Sequence, residues 1–423
     1  MDKRVSSIKN LRGEVLIPAD KSISHRAVML PSLACGKSVV TNFSNGADCK
    51  STLNLFKNLG VSIEYKDKNI IEINSSGIFQ KPNIELNCGN SGTTLRLCSG
   101  ILASQNFTSI LYGDDSLSKR PMKRIIDPLT QMGAVISSND FRAPLTIQGK
   151  DLNPIDYSSP IASAQVKSCI LLAGLNTNGE TSVTEPYLSR NHTELMLKYM
   201  GADIKTEKNM VKISKSKLEP RSITVAGDIS SAAYFIAAAL MINNSDVIIK
   251  NVGLNPTRTG IIDVVKRMGG YIEILDEQQL SGELVGDIRV KTSDLSACEI
   301  SGSDIPRLID ELPLIALLAT QANGTTIIKD AQDLRKKESD RISTIVNALN
   351  KLGGNVEELA DGFIIHGKTH LTGDIELDTY HDHRLAMTFY VAGLLTQKEI
   401  LIKNFEWVDI SFPEFEELFS GLF

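Results

Sequence analysis

An amphipathic run, then Leu or Met, a glycine, and a strand-like alternation recurs five times along the chain. The copies are Leu59-Gly60-Val61-Ser62-Ile63, Met132-Gly133-Ala134-Val135-Ile136, Met200-Gly201-Ala202-Asp203-Ile204, Met268-Gly269-Gly270-Tyr271-Ile272 and Leu352-Gly353-Gly354-Asn355-Val356. Each glycine stands where a helix ends in a left-handed turn, and the residues after it alternate as a strand does. The period of roughly 70 residues exceeds the ~20–50 of the common solenoids. It predicts a unit of two helices and several strands, used about six times. Phe415 to Leu422 resembles the helical part of a sixth copy, ending near Gly421 with no strand after it. Three copies precede Gly227-Asp228 and three follow. Gly227-Asp228-Ile229-Ser230-Ser231 reads as a turn and cap opening the apolar run Ala232 to Met241, a crossing between halves.

Several predicted helix starts carry polar and cationic residues. In Pro18-Ala19-Asp20-Lys21-Ser22-Ile23-Ser24-His25-Arg26, Asp20 is the predicted cap, while Ile23, Ala27 and Leu30 supply a core-facing stripe. A first helical turn has free N–H groups and a partial positive charge, which suit an anion. Lys21, Ser22 and Arg26 add to that, although a capped surface helix would read the same way. Asn87 to Arg96 is a turn rich in Gly, Asn, Ser and Thr, in which Gly92 lets backbone N–H groups approach an anion closely. Ser118 to Arg124 is a basic cluster interrupted by Pro121. Ser163-Ala164-Gln165-Val166-Lys167-Ser168 and Ser189-Arg190-Asn191-His192-Thr193-Glu194 are further starts of the same kind.

The second half brings carboxylates. Asp310 and Glu311 lie in the apolar setting Leu308 to Ile315, where a desolvated carboxylate is suited to act as a general base. Asp310 as a simple helix cap is the alternative. Lys337 and Arg341 are four apart, on one face of a predicted helix, with Glu338 about 100° round from Lys337. His381-Asp382-His383-Arg384 permits a metal reading on a strand, but no third or fourth ligand is evident. A turn that orients Arg384 is simpler.

Composition narrows the field. The chain has 423 residues, 45 basic against 50 acidic, and 5% aromatic content. Two or three domains are expected, with no general nucleic-acid footprint. No apolar stretch approaches the ~18 residues of a membrane span, and no signal peptide is visible, so a cytoplasmic location is expected. The six cysteines show no paired CxxC spacing and read as reduced thiols.

Asp20 to Arg26, Gly89-Asn90-Ser91-Gly92-Thr93, Ser163-Ala164-Gln165 and Asp382-His383-Arg384, in that order over almost the whole chain, resemble the 5-enolpyruvylshikimate-3-phosphate synthases. The resemblance implies an α/β (α+β) fold of two domains, each of three βαβαββ units, with a ligand cleft between them. One domain would comprise 1–18 and 229–423, the other 20–227, with hinges near 18–20 and 227–230. The implied reaction moves the enolpyruvyl group of phosphoenolpyruvate to the 5-hydroxyl of shikimate 3-phosphate by addition and elimination, without metal or organic cofactor. Lys21, Ser22, Arg26, Ser163, Ala164, Gln165, Arg190, Asp310 and Lys337 would meet shikimate 3-phosphate. Lys21, Asn90, Gly92, Arg120, Gln165, Arg341 and Arg384 would meet phosphoenolpyruvate. Asp310 would take the hydroxyl proton and Glu338 would shuttle a proton at the methylene carbon, with Lys21 reaching both substrates. A monomer is expected, with no nucleic-acid or membrane partner.

The chain departs from many relatives at Ile410, where they carry a lysine toward phosphoenolpyruvate. A sister enzyme acting on UDP-N-acetylglucosamine would show Lys-Asn in place of Lys21-Ser22, and a reactive loop cysteine. A non-catalytic repeat protein is the remaining alternative; it gives no reason for these charged residues to converge.

Overall fold

The computed structural model describes residues 1–423. The chain divides into two compact units, Met1–Pro18 with Gly227–Gln278 and Leu284–Phe423, and Ala19–Ala226 with Gln279–Glu283. The last segment is the tip of the hairpin Tyr271–Leu280/Glu283–Lys291. No helix is long and apolar enough to cross a membrane.

The repeat glycines end helices as expected. Gly60 has φ of 88° and Gly133 of 95°, and Gly201, Gly269 and Gly353 are likewise positive. Each is followed by a hairpin. The regular repeat is seen at Leu86–Asn87, Thr108–Tyr112, Val135–Asn139 and Arg142–Gln148, whose strands lie in the order first, second, fourth, third. The first pair is parallel and the rest antiparallel. A parallel pair needs a helical crossover, which places one helix of each repeat beneath its sheet.

Three repeats are completed by strands distant in sequence. Ile223–Thr224 pairs in parallel with Cys35–Thr41 and supplies the missing first strand of the opening repeat. Arg12–Leu16 does the same for Asp246–Gly253. The last repeat has no strand after the helix Phe415–Ser420; Lys3–Val5 pairs antiparallel with Ile400–Lys403 in its place. Each unit therefore closes on its own chain ends.

Helices that are apolar all round form the centre of each unit. In the first, Ile229–Met241, Leu312–Thr320 and His383–Gly393 pack pairwise and are almost wholly buried. Phe235 stacks on Phe419 at 4.1 Å between ring centroids, and Tyr234 and Tyr390 meet Phe415 edge-on. In the second, α1 (Lys21–Leu33), α3 (Gly92–Ala103) and the helix Ala164–Gly174 are the deeply buried ones; the half-buried α2 (Ala47–Asn58) packs on α1, and α3 packs on Ala164–Gly174. The last crossing is close because Gly100 has no side chain: a Cβ there would lie 2.1 Å from the Cys169 carbonyl oxygen.

Candidate active site

The buried helices of each unit begin close together, and their first turns carry the polar residues. In the second unit Asp20 caps α1, its carboxylate accepting from Ile23 N at 2.8 Å. Ser91 caps α3 through Thr94 N at 3.1 Å, and Ser163 caps the helix Ala164–Gly174. Side chains join these starts. Gln165 donates to Thr93 Oγ1 at 3.1 Å and accepts from Arg96. Arg26 donates to Thr193 Oγ1 at 2.6 Å and to Ser168 Oγ at 3.0 Å, so it spans α1, the helix Ala164–Gly174 and the helix His192–Tyr199.

Burial pushes the Arg26 guanidinium down to about 10, with Glu194, Asp20 and Glu283 opposing and Arg190 adding to the fall. It stays cationic at neutral pH, and an anion would relieve its desolvation. Lys21 pairs with Asp48 at 3.1 Å, with Ser22 next to it on α1. Arg120 donates to Asn90 Oδ1 at 2.7 Å, just ahead of Gly92. A Cβ on Gly92 would meet Arg96 Nη1 at 2.7 Å and Arg120 Nη1 at 3.6 Å, so two guanidinium groups lie against this glycine. Behind them Lys167 forms a buried pair with Glu185 and Glu194, both at 2.8 Å. His192 Nδ1 bonds Glu283 at 2.7 Å.

In the first unit the charged residues form one connected group. Asp310 Oδ1 accepts from Lys337 at 3.2 Å and from Arg341 at 3.4 Å. Arg341 also donates to Glu338 at 2.7 Å, and to both Asp382 oxygens at 2.8 and 3.1 Å. Burial would lower the Arg341 guanidinium; the carboxylates of Asp382, Glu338 and Asp310 outweigh it and hold it raised. Arg384 is buried too. Burial opposes its charge, and the acidic groups Tyr234, Asp310, Glu311 and Asp228 raise its proton affinity. Its guanidinium donates to Ser230 O at 3.4 Å and lies against the Tyr234 hydroxyl. A buried cation with so few directed bonds has donors to offer an anion.

One local expectation is corrected, and the strand alternative for His381 and His383 falls. Lys337 and Glu338 are not helical: a 3-10 turn ends at Lys336, Lys337 is extended, and Asp340 caps a helix that begins at Arg341. The cap stops the helix because the Asp340 carboxylate takes the N–H groups of Ile342 and Ser343. Lys337, Glu338 and Arg341 still share a site, Lys337 and Arg341 meeting at Asp310 and Glu338 pairing with Arg341. His381 and His383 do not lie on a strand; His381 has φ of 62° and stacks on Trp407, while Asp382 caps the helix His383–Gly393. Asp310 accepts from the cations Lys337 and Arg341, and the cap position of Leu312–Thr320 is Glu311.

Pattern reading gave no role to the side chains that hold these groups in space, although all but Asp48 lie in stretches it singled out. Asp48, Arg96, Ser168, Thr193, Ser230 and Asp382 hold the cations and caps already described. For Asp48 and Asp382 a signal existed: both lie at or beside the start of a helix facing a cation-rich start.

The family model for EPSP synthase (3-phosphoshikimate 1-carboxyvinyltransferase) matches residues 5–419. A 3-phosphoshikimate 1-carboxyvinyltransferase from Petrotoga mobilis is 50% identical over 429 residues, covering 100% of this chain and 99% of that one. The solved EPSP synthase from Acinetobacter baumannii superposes with a TM-score of 0.90 at 42% identity, covering 100% of this chain and 98% of the other. An enolpyruvyl transferase from Streptomyces tendae shares the fold at a TM-score of 0.80 and 17% identity, covering 99% and 96% of the two chains.

Proposed function

The chain belongs to the EPSP synthase family, enolpyruvyl transferases of the shikimate pathway, and from that premise we propose which side chains carry the transfer from phosphoenolpyruvate to shikimate 3-phosphate. Shikimate 3-phosphate is held by Lys21, Ser22 and Arg26 at the start of α1, by Ser163, Ala164, Gln165 and Arg190, and by Lys337. Phosphoenolpyruvate is held by Lys21, Asn90, Gly92, Arg120, Gln165, Arg341 and Arg384. Both substrates are polyanions, and this many cations offset their mutual repulsion. Of these residues, Asp20 to Ala226 carry one set and Asp310 to Arg384 the other. The crossings near 18–20 and 227–230 are the proposed hinges.

The observation that carries the reading is the Asp310 carboxylate between Lys337 and Arg341. When the shikimate hydroxyls engage Lys337, Asp310 loses one cation and takes the 5-hydroxyl proton. The oxygen bonds to C2 of phosphoenolpyruvate while a proton reaches its methylene carbon, giving a tetrahedral adduct. Glu338, with Lys21, handles that methylene proton. In the second step the methyl group gives up a proton, the C2–O bond to phosphate breaks, and the double bond re-forms. The proton lost by the hydroxyl leaves with phosphate. A monomer in the cytoplasm is the proposed setting.

The test is Asp310→Asn, with turnover and shikimate 3-phosphate binding measured side by side. The account expects turnover to fall by about 10²–10⁴-fold with binding retained. Unimpaired turnover removes Asp310 as the base.

A further inference from the structure

A chain of four buried side chains links α1 to the start of α3 through α2. His25 Nδ1 lies 2.6 Å from Thr52 Oγ1, and Thr52 Oγ1 lies 2.6 Å from Thr94 Oγ1. Thr94 Oγ1 donates to Ser91 Oγ at 2.8 Å, and Ser91 Oγ also accepts from Thr94 N. His25, Thr52 and Thr94 are 0% exposed and Ser91 is 1%. None of the four is among the substrate-binding residues assigned above.

The hydrogens in this chain can run in one direction only. Each hydroxyl has a single hydrogen. Thr94 spends its own on Ser91, so Thr52 must donate to Thr94. Thr52 is then left to accept, and His25 must supply Nδ1–H. Nε2 of His25 has no hydrogen-bond partner. That fits the unprotonated nitrogen, since a buried orphan N–H is rarer than an under-used acceptor. Burial also pushes the His25 imidazole down to about 3, so the ring is neutral.

The chain ends on Ser91, the cap that sets where α3 starts, immediately before Gly92 and after Asn90. It begins on α1 between Ser22 and Arg26. We propose that His25, Thr52, Thr94 and Ser91 form a proton-ordered relay that fixes the Gly92 turn relative to α1, making them positioning residues for phosphoenolpyruvate. The proposal rests on the assignment of Asn90, Gly92 and Arg120 to that substrate. Arg26, a shikimate 3-phosphate ligand in that assignment, has its own anchors in Ser168 and Thr193, outside the relay.

Thr52→Val keeps the shape of the side chain and removes the hydroxyl. In steady-state assays with both substrates it should raise KM for phosphoenolpyruvate by ~3–10-fold, the loss of roughly one hydrogen bond. The kcat and the KM for shikimate 3-phosphate should stay within about twofold, and Thr52→Ser should restore the wild-type KM. Thr94→Val cuts the relay one link further on and should give the same split. Nitrogen-15 NMR of the His25 ring in the wild-type protein gives a readout independent of activity, and should show the Nδ1–H tautomer at pH 7. An Nε2–H tautomer, an unchanged KM, both KM values rising together, or no rescue by serine overturns the relay. If the wild-type protein lacks the transfer activity, the functional reading fails, while the tautomer still decides whether the relay is ordered as described.

Discussion

Gly92 and His25 show how single residues in α1 and α3 set the conditions for binding. A Cβ at Gly92 would stand 2.7 Å from Arg96 Nη1, and Arg96 is in turn tied to Gln165. Gly92→Ala should displace that guanidinium and raise KM for phosphoenolpyruvate several-fold, with a smaller effect on shikimate 3-phosphate, whose Lys21, Ser22 and Arg26 contacts lie on α1; steady-state kinetics reads the split. His25 is held neutral, its imidazole pushed from 6.5 to about 3 by burial. The unfolded chain binds this proton first, so the contribution is intact above pH 6.5 and is lost as pH falls toward 3. The loss from this group is at most about 1.4 kcal/mol per pH unit. Urea unfolding between pH 7 and pH 4.5 should therefore show a shallower decline for His25→Asn than for the wild-type protein; equal slopes would contradict it.

Among elements, the contact of α3 with the helix Ala164–Gly174 is the one most sensitive to a single methyl group. Gly100→Ala places a Cβ against the backbone of Cys169, which cannot rotate away as a side chain could. Destabilisation of about 1–3 kcal/mol is expected, measured by chemical denaturation. The pattern of the chain foretold such elements well where the signal is local. The helix-ending glycines, the Asp20 cap and the turn at Gly227-Asp228 all follow from neighbouring residues. What escaped depends on pieces of chain that meet only after folding. Nothing near Cys35–Thr41 says that Ile223–Thr224 will pair with it, and nothing near Ile400 points to Lys3–Val5. The spacing of Lys337 and Glu338 to Arg341 fits a helix, whereas the Asp340 cap decides where that helix begins. Arg26 was legible as an anion ligand, but Ser168 and Thr193, which aim it, lie far along the chain.

For the whole molecule, repetition explains both the fold and the placement of charge. Each repeat contributes a helix buried all round, and its first turn is the one place where polar side chains and free N–H groups meet the surface of that core. Using the repeat several times multiplies such starts, so a chain with net charge −5 still gathers Lys21, Arg26, Arg120, Lys337, Arg341 and Arg384 into two local groups. The central claim is that these groups serve one reaction, between phosphoenolpyruvate and shikimate 3-phosphate. Phosphate release from phosphoenolpyruvate tests it most directly, measured with shikimate 3-phosphate, with UDP-N-acetylglucosamine, and with neither acceptor. The account predicts release with shikimate 3-phosphate alone; release with UDP-N-acetylglucosamine instead, or equal release with no acceptor, would contradict it.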